Sequence, residues 1–247
     1  MIGQAYCCQN KKYNIIILAS GAGSRMGNAS DYIPKALTKL GNRRAIDYII
    51  DKYSLVAHKF IISTVYHSDL LEHYIRGKYK NIEINFVKGT PEEFKNNAYS
   101  TAFCLDHANS RIGTILVFCD LLIISNNRIV DDSVYYVNKN TKGKIGTFRH
   151  VLVDNKFIES SFPPYDPNDE HSDDSNGIIG TFVFSNTPLL KSITYSNYDY
   201  LNDLTDDIVK KYFEQILLTP VFCDTVYEFG TEQDLKIVRE LWEQAKL

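Results

Sequence analysis

The sequence predicts an α/β fold, a single domain built on a doubly wound and mostly parallel mixed sheet. Three observations carry this expectation. Strand-like segments recur at residues 13–19, 59–65, 82–88 and 114–119, the first and last strongly apolar and the third alternating in character. Segments with helical apolar spacing separate them, and a glycine-rich turn follows the first run. Alternation of this kind favours a parallel sheet with helices on both faces.

The first run, residues 13–19, is apolar but for Asn14, as expected of a strand buried on both faces. Residues 44–55 carry apolar side chains at 45, 46, 49, 50 and 53, which is helical spacing. Residues 69–79 form the next expected helix, with Ser68 as its N-cap. Residues 97–108 form a third helix, and 114–119 a fourth strand ending at Asp120. The rhythm then changes. Residues 144–153, 155–162 and 177–184 read as strands, with a Pro- and Asp-rich loop over 163–176. Helices are expected over 188–193 and 201–213. One or two strands are expected over 215–229. A closing helix follows over 231–245, capped by Thr231. One domain over 1–247 is expected, with a ligand-binding half at about 13–125 and a second half at about 144–229.

The bulk numbers exclude several classes. The chain has 247 residues, 44% of them hydrophobic, and a net charge of −3. No long basic stretch appears, so no nucleic-acid surface is expected. The apolar runs are too short to span a bilayer, and the first ten residues hold no apolar signal core. Of five cysteines, Cys104, Cys119 and Cys223 sit in apolar runs and read as core residues, and no zinc spacing occurs. Cytoplasmic localisation is expected.

Ligands of such sheets bind beyond the carboxyl ends of the strands. There the chain reads Leu18, Ala19, Ser20, Gly21, Ala22, Gly23, Ser24, Arg25, Met26. Gly21 and Gly23 allow positive φ and close approach to a ligand. Successive amides in such a turn cradle phosphate oxygens. A dinucleotide fingerprint needs a third glycine, where Met26 stands, and an acid closing the second strand, where residues 63–65 read Ser-Thr-Val. A Walker A loop is absent too. Arg25 supplies a cationic fork and Pro34 precedes Lys35, so two cations flank one phosphate-binding turn. That combination suits a reaction in which charge builds on phosphorus and on leaving pyrophosphate.

These residues resemble the signature of the nucleotide-diphospho-sugar transferase superfamily, the sugar-1-phosphate nucleotidyltransferases and related cytidylyltransferases. The resemblance implies a Rossmann-like fold of the GT-A type. It implies Arg25 and Lys35 as catalytic cations, and residues 18–25 with Asn97 and Ser100 as the nucleotide site. Asp120 resembles the strand-ending Asp that binds magnesium, with Cys119 in place of a more usual Gly. Residues 226–231, with Asp234 and Leu235, resemble the family's closing acidic stretch. This implies Glu228 as the second ligand of Mg2+, with Asp224 as the fallback. Phosphocholine cytidylyltransferases carry a further acid two positions on, where this chain has Gly230. Asn97 either caps its helix or reads a base edge. Asn176 and Gly177 open a strand resembling the one that lines the acceptor.

The implied activity is transfer of a nucleoside monophosphate from a nucleoside triphosphate, CTP favoured, to a small phosphorylated acceptor. An alcohol or amino alcohol phosphate is favoured, because the Glu-Lys-Pro of sugar-phosphate enzymes is absent from residues 158–163. A sugar-1-phosphate enzyme using UTP, dTTP or GTP is the alternative. A non-catalytic nucleotide-binding regulator is the alternative from another class. The acids of residues 166–174 form either a solvated loop or a face for a cationic acceptor. Nothing in the residues specifies an oligomeric state.

Overall fold

The computed structural model describes residues 11–29, 33–124, 129–137, 141, 150–153, 156–159 and 176–245. In chain order the strands and helices are β1 (Tyr13–Ala19), β2 (Lys39–Leu40), β3 (Arg43–Arg44), α1 (Ala45–Tyr53), β4 (Ala57–Thr64), α2 (Ser68–Lys78), β5 (Ile84–Lys88) and α3 (Asn97–Asp106). There follow β6 (Gly113–Phe118), β7 (Leu121–Ile123), β8 (Ser133–Val137), β9 (His150–Val153), β10 (Lys156–Glu159) and β11 (Asn176–Phe184). The chain closes with α4 (Thr187–Ser196), α5 (Lys211–Phe213), β12 (Thr219–Phe222), β13 (Val226–Glu228) and α6 (Glu232–Ala245).

The main sheet runs in the order β10-β9-β11-β6-β1-β4-β5, with β8 and β12 joined to it through β11. The expected α/β, mostly parallel mixed sheet is present. β6, β1, β4 and β5 are parallel, and β11 runs antiparallel to β6. β1 shows why its sequence is apolar on both faces, Asn14 excepted. Ile15 and Ile17 belong to the core on one face, with α1 and α6. Ile16 and Leu18 belong to the core on the other, with α3 and α4. A strand's side chains alternate, so covering both faces calls for apolar residues on both; the buried exception, Asn14, donates its side-chain amide to Asn109 O and Gly113 O at 3.0 and 3.2 Å.

Differences from the sequence reading concern boundaries and pairings. His67, in the left-handed region at φ 53°, is the cap residue of α2. Ser68 is the first helical residue, and its hydroxyl donates to Val65 O at 2.8 Å. The strand expected to end at Cys119 ends at Phe118, and Cys119 and Asp120 form a turn into β7. β8 falls on residues to which the sequence reading gave no element, and its burial is decided by pairing with β11 and β12. The helix expected over 201–213 is a π-helical turn, Thr205–Lys210, that runs into α5. Thr231 does cap α6, its hydroxyl accepting from Asp234 N at 3.1 Å. The acidic run of residues 166–174 lies outside the described residues.

Three contacts hold the frame around the carboxyl edge. Lys52 of α1 donates to Ile123 O of β7 at 2.9 Å, and burial pushes its ammonium down to about 8. Trp242 of α6 packs against Tyr48 and Tyr227, at centroid distances of 4.8 and 5.3 Å. Gly180 of β11 passes over Phe118 so closely that a Cβ would lie 2.5 Å from the ring. Among the described residues no helix is long and apolar enough to cross a membrane.

Candidate active site

The glycine turn leaves β1 at the carboxyl edge of the sheet. Leu18, Ala19 and Ser20 are still buried. Leu18 O accepts from Cys119 N at 3.2 Å, and Ala19 N donates to Ser63 Oγ at 3.2 Å. The accessible part of the turn is therefore Gly21, Ala22, Ser24 and Arg25. Gly23 adopts φ 69°, the left-handed conformation for which glycine is best suited. Gly21 has no such φ, and its Cβ position faces open space. Met26 plugs the core below the turn, and its amide donates to Gly23 O at 2.8 Å. The turn leads into a 3-10 helix, Ser24–Ala29, not the α-helix that a dinucleotide fingerprint would open.

A second element fixes the turn. Ser20 Oγ lies 2.8 Å from Ser100 Oγ, both buried, so α3 is tied to the loop through Ser100. Asn96, not Asn97, caps this helix. Its side chain accepts from Ala98 N and Tyr99 N at 2.9 and 3.2 Å. Asn97 is exposed at the first position of α3 and does not serve as the cap.

Pro34 is extended, at φ −64° and ψ 144°, and starts a single 3-10 turn, Lys35–Leu37, that buries Ala36 and Leu37. Lys35 opens that turn, and its neighbours Ala36 and Leu37 enter the core. The Lys35 ammonium reaches Asp120 Oδ2 at 2.8 Å. Burial opposes its charge, but Asp120 more than compensates and raises the ammonium above its ordinary value.

Asp120 sits at the end of β6. Its carbonyl accepts from Phe229 N at 3.1 Å. β7 pairs antiparallel with β13, setting Leu121 opposite Glu228. The two carboxylates therefore converge. The Cβ position of Gly230 lies 3.8 Å from Asp120 Oδ2, 3.9 Å from Glu228 Oε1 and 3.9 Å from Arg25 Nη2. Arg25, Asp120 and Glu228 meet at one point, and Lys35 joins them through Asp120. Asp224 is exposed on the approach to β13. Two carboxylate oxygens facing one point fit a hard cation such as Mg2+, which takes one or two protein carboxylates and completes its shell from phosphate and water. Among the described residues no group of three or more His, Cys, Asp or Glu gathers for a metal. Cys119, next to Asp120, is buried, and burial pushes its thiol up to about 12.

The remaining elements frame the edge. Thr181 of β11 pairs with Val117 in the antiparallel register with β6. The first residues of β11, Asn176 and Gly177 included, thus continue past the end of β6, toward the edge that carries Asp120. On another side an open groove of about 880 Å³ lies between Arg25 and α6, lined by Thr231, Glu232, Lys236, Arg239 and Glu243. Sequence reasoning did not register the Ser20–Ser100 link or the central place of Gly230, since neither pairing is local.

Residues 15–130 match the MobA-like NTP transferase domain. Among curated proteins none matches the sequence. The fold is similar to that of a CTP:phosphocholine cytidylyltransferase from Streptococcus pneumoniae, with TM-score 0.71, 17% identity, and 93% of this chain and 99% of that one covered. It is also similar to an inositol-1-phosphate CTP transferase from T. maritima, with TM-score 0.68, 16% identity, and 96% and 98% covered. A UDP-glucose pyrophosphorylase complexed with UDP-glucose gives TM-score 0.70 at 13% identity, with 95% and 99% covered. Residues 15–130 thus carry a match to a MobA-like NTP transferase domain, and the whole chain has the fold of these solved nucleotidyltransferase structures.

Proposed function

We propose that the protein is a nucleotidyltransferase that moves a nucleoside monophosphate from a nucleoside triphosphate to a small phosphorylated acceptor, with release of pyrophosphate. The observation that carries this reading is the meeting of Arg25, Asp120 and Glu228 at the Gly230 position, with Lys35 on Asp120. An oxygen of the acceptor phosphate attacks the α-phosphorus in line. The new P–O bond forms as the bond to the β-phosphate oxygen breaks. The acceptor phosphate is already ionised, so no general base is required. The work is positioning and charge stabilisation. Arg25 and the amides of the turn hold the β- and γ-phosphates. Lys35 neutralises charge on the α-phosphate. Asp120 and Glu228 would hold Mg2+, which supplies a Lewis acid for the phosphate oxygens. Asn97, exposed at the start of α3, faces solvent where a base edge would be read. Asn176 and Gly177 stand at the acceptor end.

We favour CTP and an alcohol or amino alcohol phosphate. The Ser24, Arg25, Met26 sequence and residues 96–100 support that choice, as do the two CTP-using neighbours. The sugar-1-phosphate reading has its own support in the UDP-glucose pyrophosphorylase neighbour, whose TM-score of 0.70 is nearly the same. Among the described residues Cys104, Cys119 and Cys223 are free and buried, which supports a cytoplasmic location.

A pyrophosphate-release screen tests the reading. CTP, UTP, dTTP, GTP and ATP are crossed with phosphocholine, phosphoethanolamine, glycerol phosphate and several sugar 1-phosphates. Release with CTP and an alcohol phosphate is expected. Release only with a sugar 1-phosphate would select the second reading, and no release with any pair would favour a nucleotide-binding regulator.

A further inference from the structure

Lys35 and a divalent cation need the same carboxylate. The Lys35 ammonium lies 2.8 Å from Asp120 Oδ2, with the two side chains only 12% and 21% exposed. A pair so shielded from water is screened weakly by salt. Arg25 brings a second positive group to the point that Asp120 and Glu228 face. Gly230, at the centre of that point, contributes no carboxylate. Two acids thus face two bases, and the local charge is close to balanced before any ion enters. A bare divalent cation arriving there meets repulsion from both bases. It must also draw Lys35 off its partner within a partly buried space, a costly exchange.

A triphosphate changes this balance. Its oxygens offer new anionic partners to Lys35 and Arg25 and further ligands to the cation. We propose that Lys35 guards Asp120, so that the free chain binds a bare divalent cation weakly and takes the cation up together with the triphosphate, Lys35 passing from Asp120 to phosphate. The proposal rests on the nucleotidyltransferase reading above. No covalent bond is made or broken in this exchange.

The test measures binding, not turnover. Mn2+ serves as the probe, and free Mn2+ is read by electron paramagnetic resonance, with and without a non-hydrolysable CTP analogue. The full chain is compared with Lys35→Met, Lys35→Gln and Lys35→Arg, each checked for folding by circular dichroism. Removing one cation that faces the bound ion is expected to tighten bare Mn2+ binding ~10-fold or more in Lys35→Met and Lys35→Gln. Lys35→Arg keeps the charge and is expected to stay near the unaltered chain. Asp120→Asn added to Lys35→Met is expected to lose the gain. The proposal is overturned if the Met and Gln variants bind Mn2+ no more tightly than the unaltered chain. It is equally overturned if the unaltered chain binds bare Mn2+ as tightly as in the presence of the analogue. The two readings fail separately. Tightening in the variants with no productive pair in the pyrophosphate screen would sink the transferase assignment alone. A productive pair without tightening would sink only the guarding role of Lys35.

Discussion

Ser20 Oγ and Ser100 Oγ lie 2.8 Å apart although 80 positions separate them in the chain. The bond joins the glycine turn to the first turn of α3, and Asn96 sets the start of that helix by accepting two of its free amides. The turn is therefore held from two sides, by β1 beneath it and by α3 beside it.

Ser100→Ala removes the partner of a buried hydroxyl. Such a loss costs ~1–2 kcal/mol, to be read by urea denaturation. With the turn loosened, KM for the triphosphate is expected to rise more than kcat falls. An unchanged KM would mean that α3 does not position the turn for phosphate.

Lys35→Ala removes the cation assigned to the α-phosphate. Turnover is expected to fall ~10²- to 10⁴-fold, the scale of losing one preorganised charge in a transition state. Circular dichroism should show the fold intact. Near-normal turnover with the best substrate pair would remove Lys35 from the mechanism.

Gly230→Ala places a methyl group at 3.8–3.9 Å from Asp120, Glu228 and Arg25. These are ordinary contact distances, and Gly230 has no positive φ, so the thermal midpoint should hardly move. The methyl does occupy the point on which the three polar groups converge. Turnover is expected to drop at least ~10-fold, since misplacement on the ångström scale costs that much or more. A variant as active as the parent would show that the convergence point is not where the substrates meet.

Asp47 carries a prediction about pH. It is fully buried. It accepts from Tyr74 OH, Tyr79 OH and Arg44 N at 2.8, 2.9 and 3.0 Å. Lys78 lies 2.8 Å away. Burial alone would raise the carboxyl, but Lys78 and the other donors outweigh it and hold Asp47 below its usual range. A carboxyl lowered in the folded state stabilises the protein above its unfolded pKa, about 4, and loses that contribution as pH falls through the folded value. Asp47→Asn should therefore be destabilised at pH 7, by ~2–4 kcal/mol for breaking a buried charged network. The gap between parent and variant should close below about pH 4. A gap independent of pH would show that the charge of Asp47 is not what α1 and α2 depend on.

By itself the sequence determined what is local. The apolar run of β1, the glycines after it, Arg25 beside them, and Asp120 directly after an apolar strand are legible because each depends on neighbours a few positions away. From these follow the parallel sheet and the edge at which a ligand binds. The cap of α6 was equally legible, since Thr231 and Asp234 lie within one helical turn. Asn96 over Asn97 was not, because two adjacent asparagines are equivalent until the helix chooses its first residue.

Tertiary structure decided what depends on distant pairing. Glu228 reaches Asp120 only because β13 pairs with β7. Gly230 becomes the meeting point of three charged groups only because that pairing carries it past the end of β6. Lys35 finds Asp120 across 85 positions. In each case the sequence supplied the charge, and the register of the strands, settled by burying apolar side chains on both faces of the sheet, decided which charges would meet.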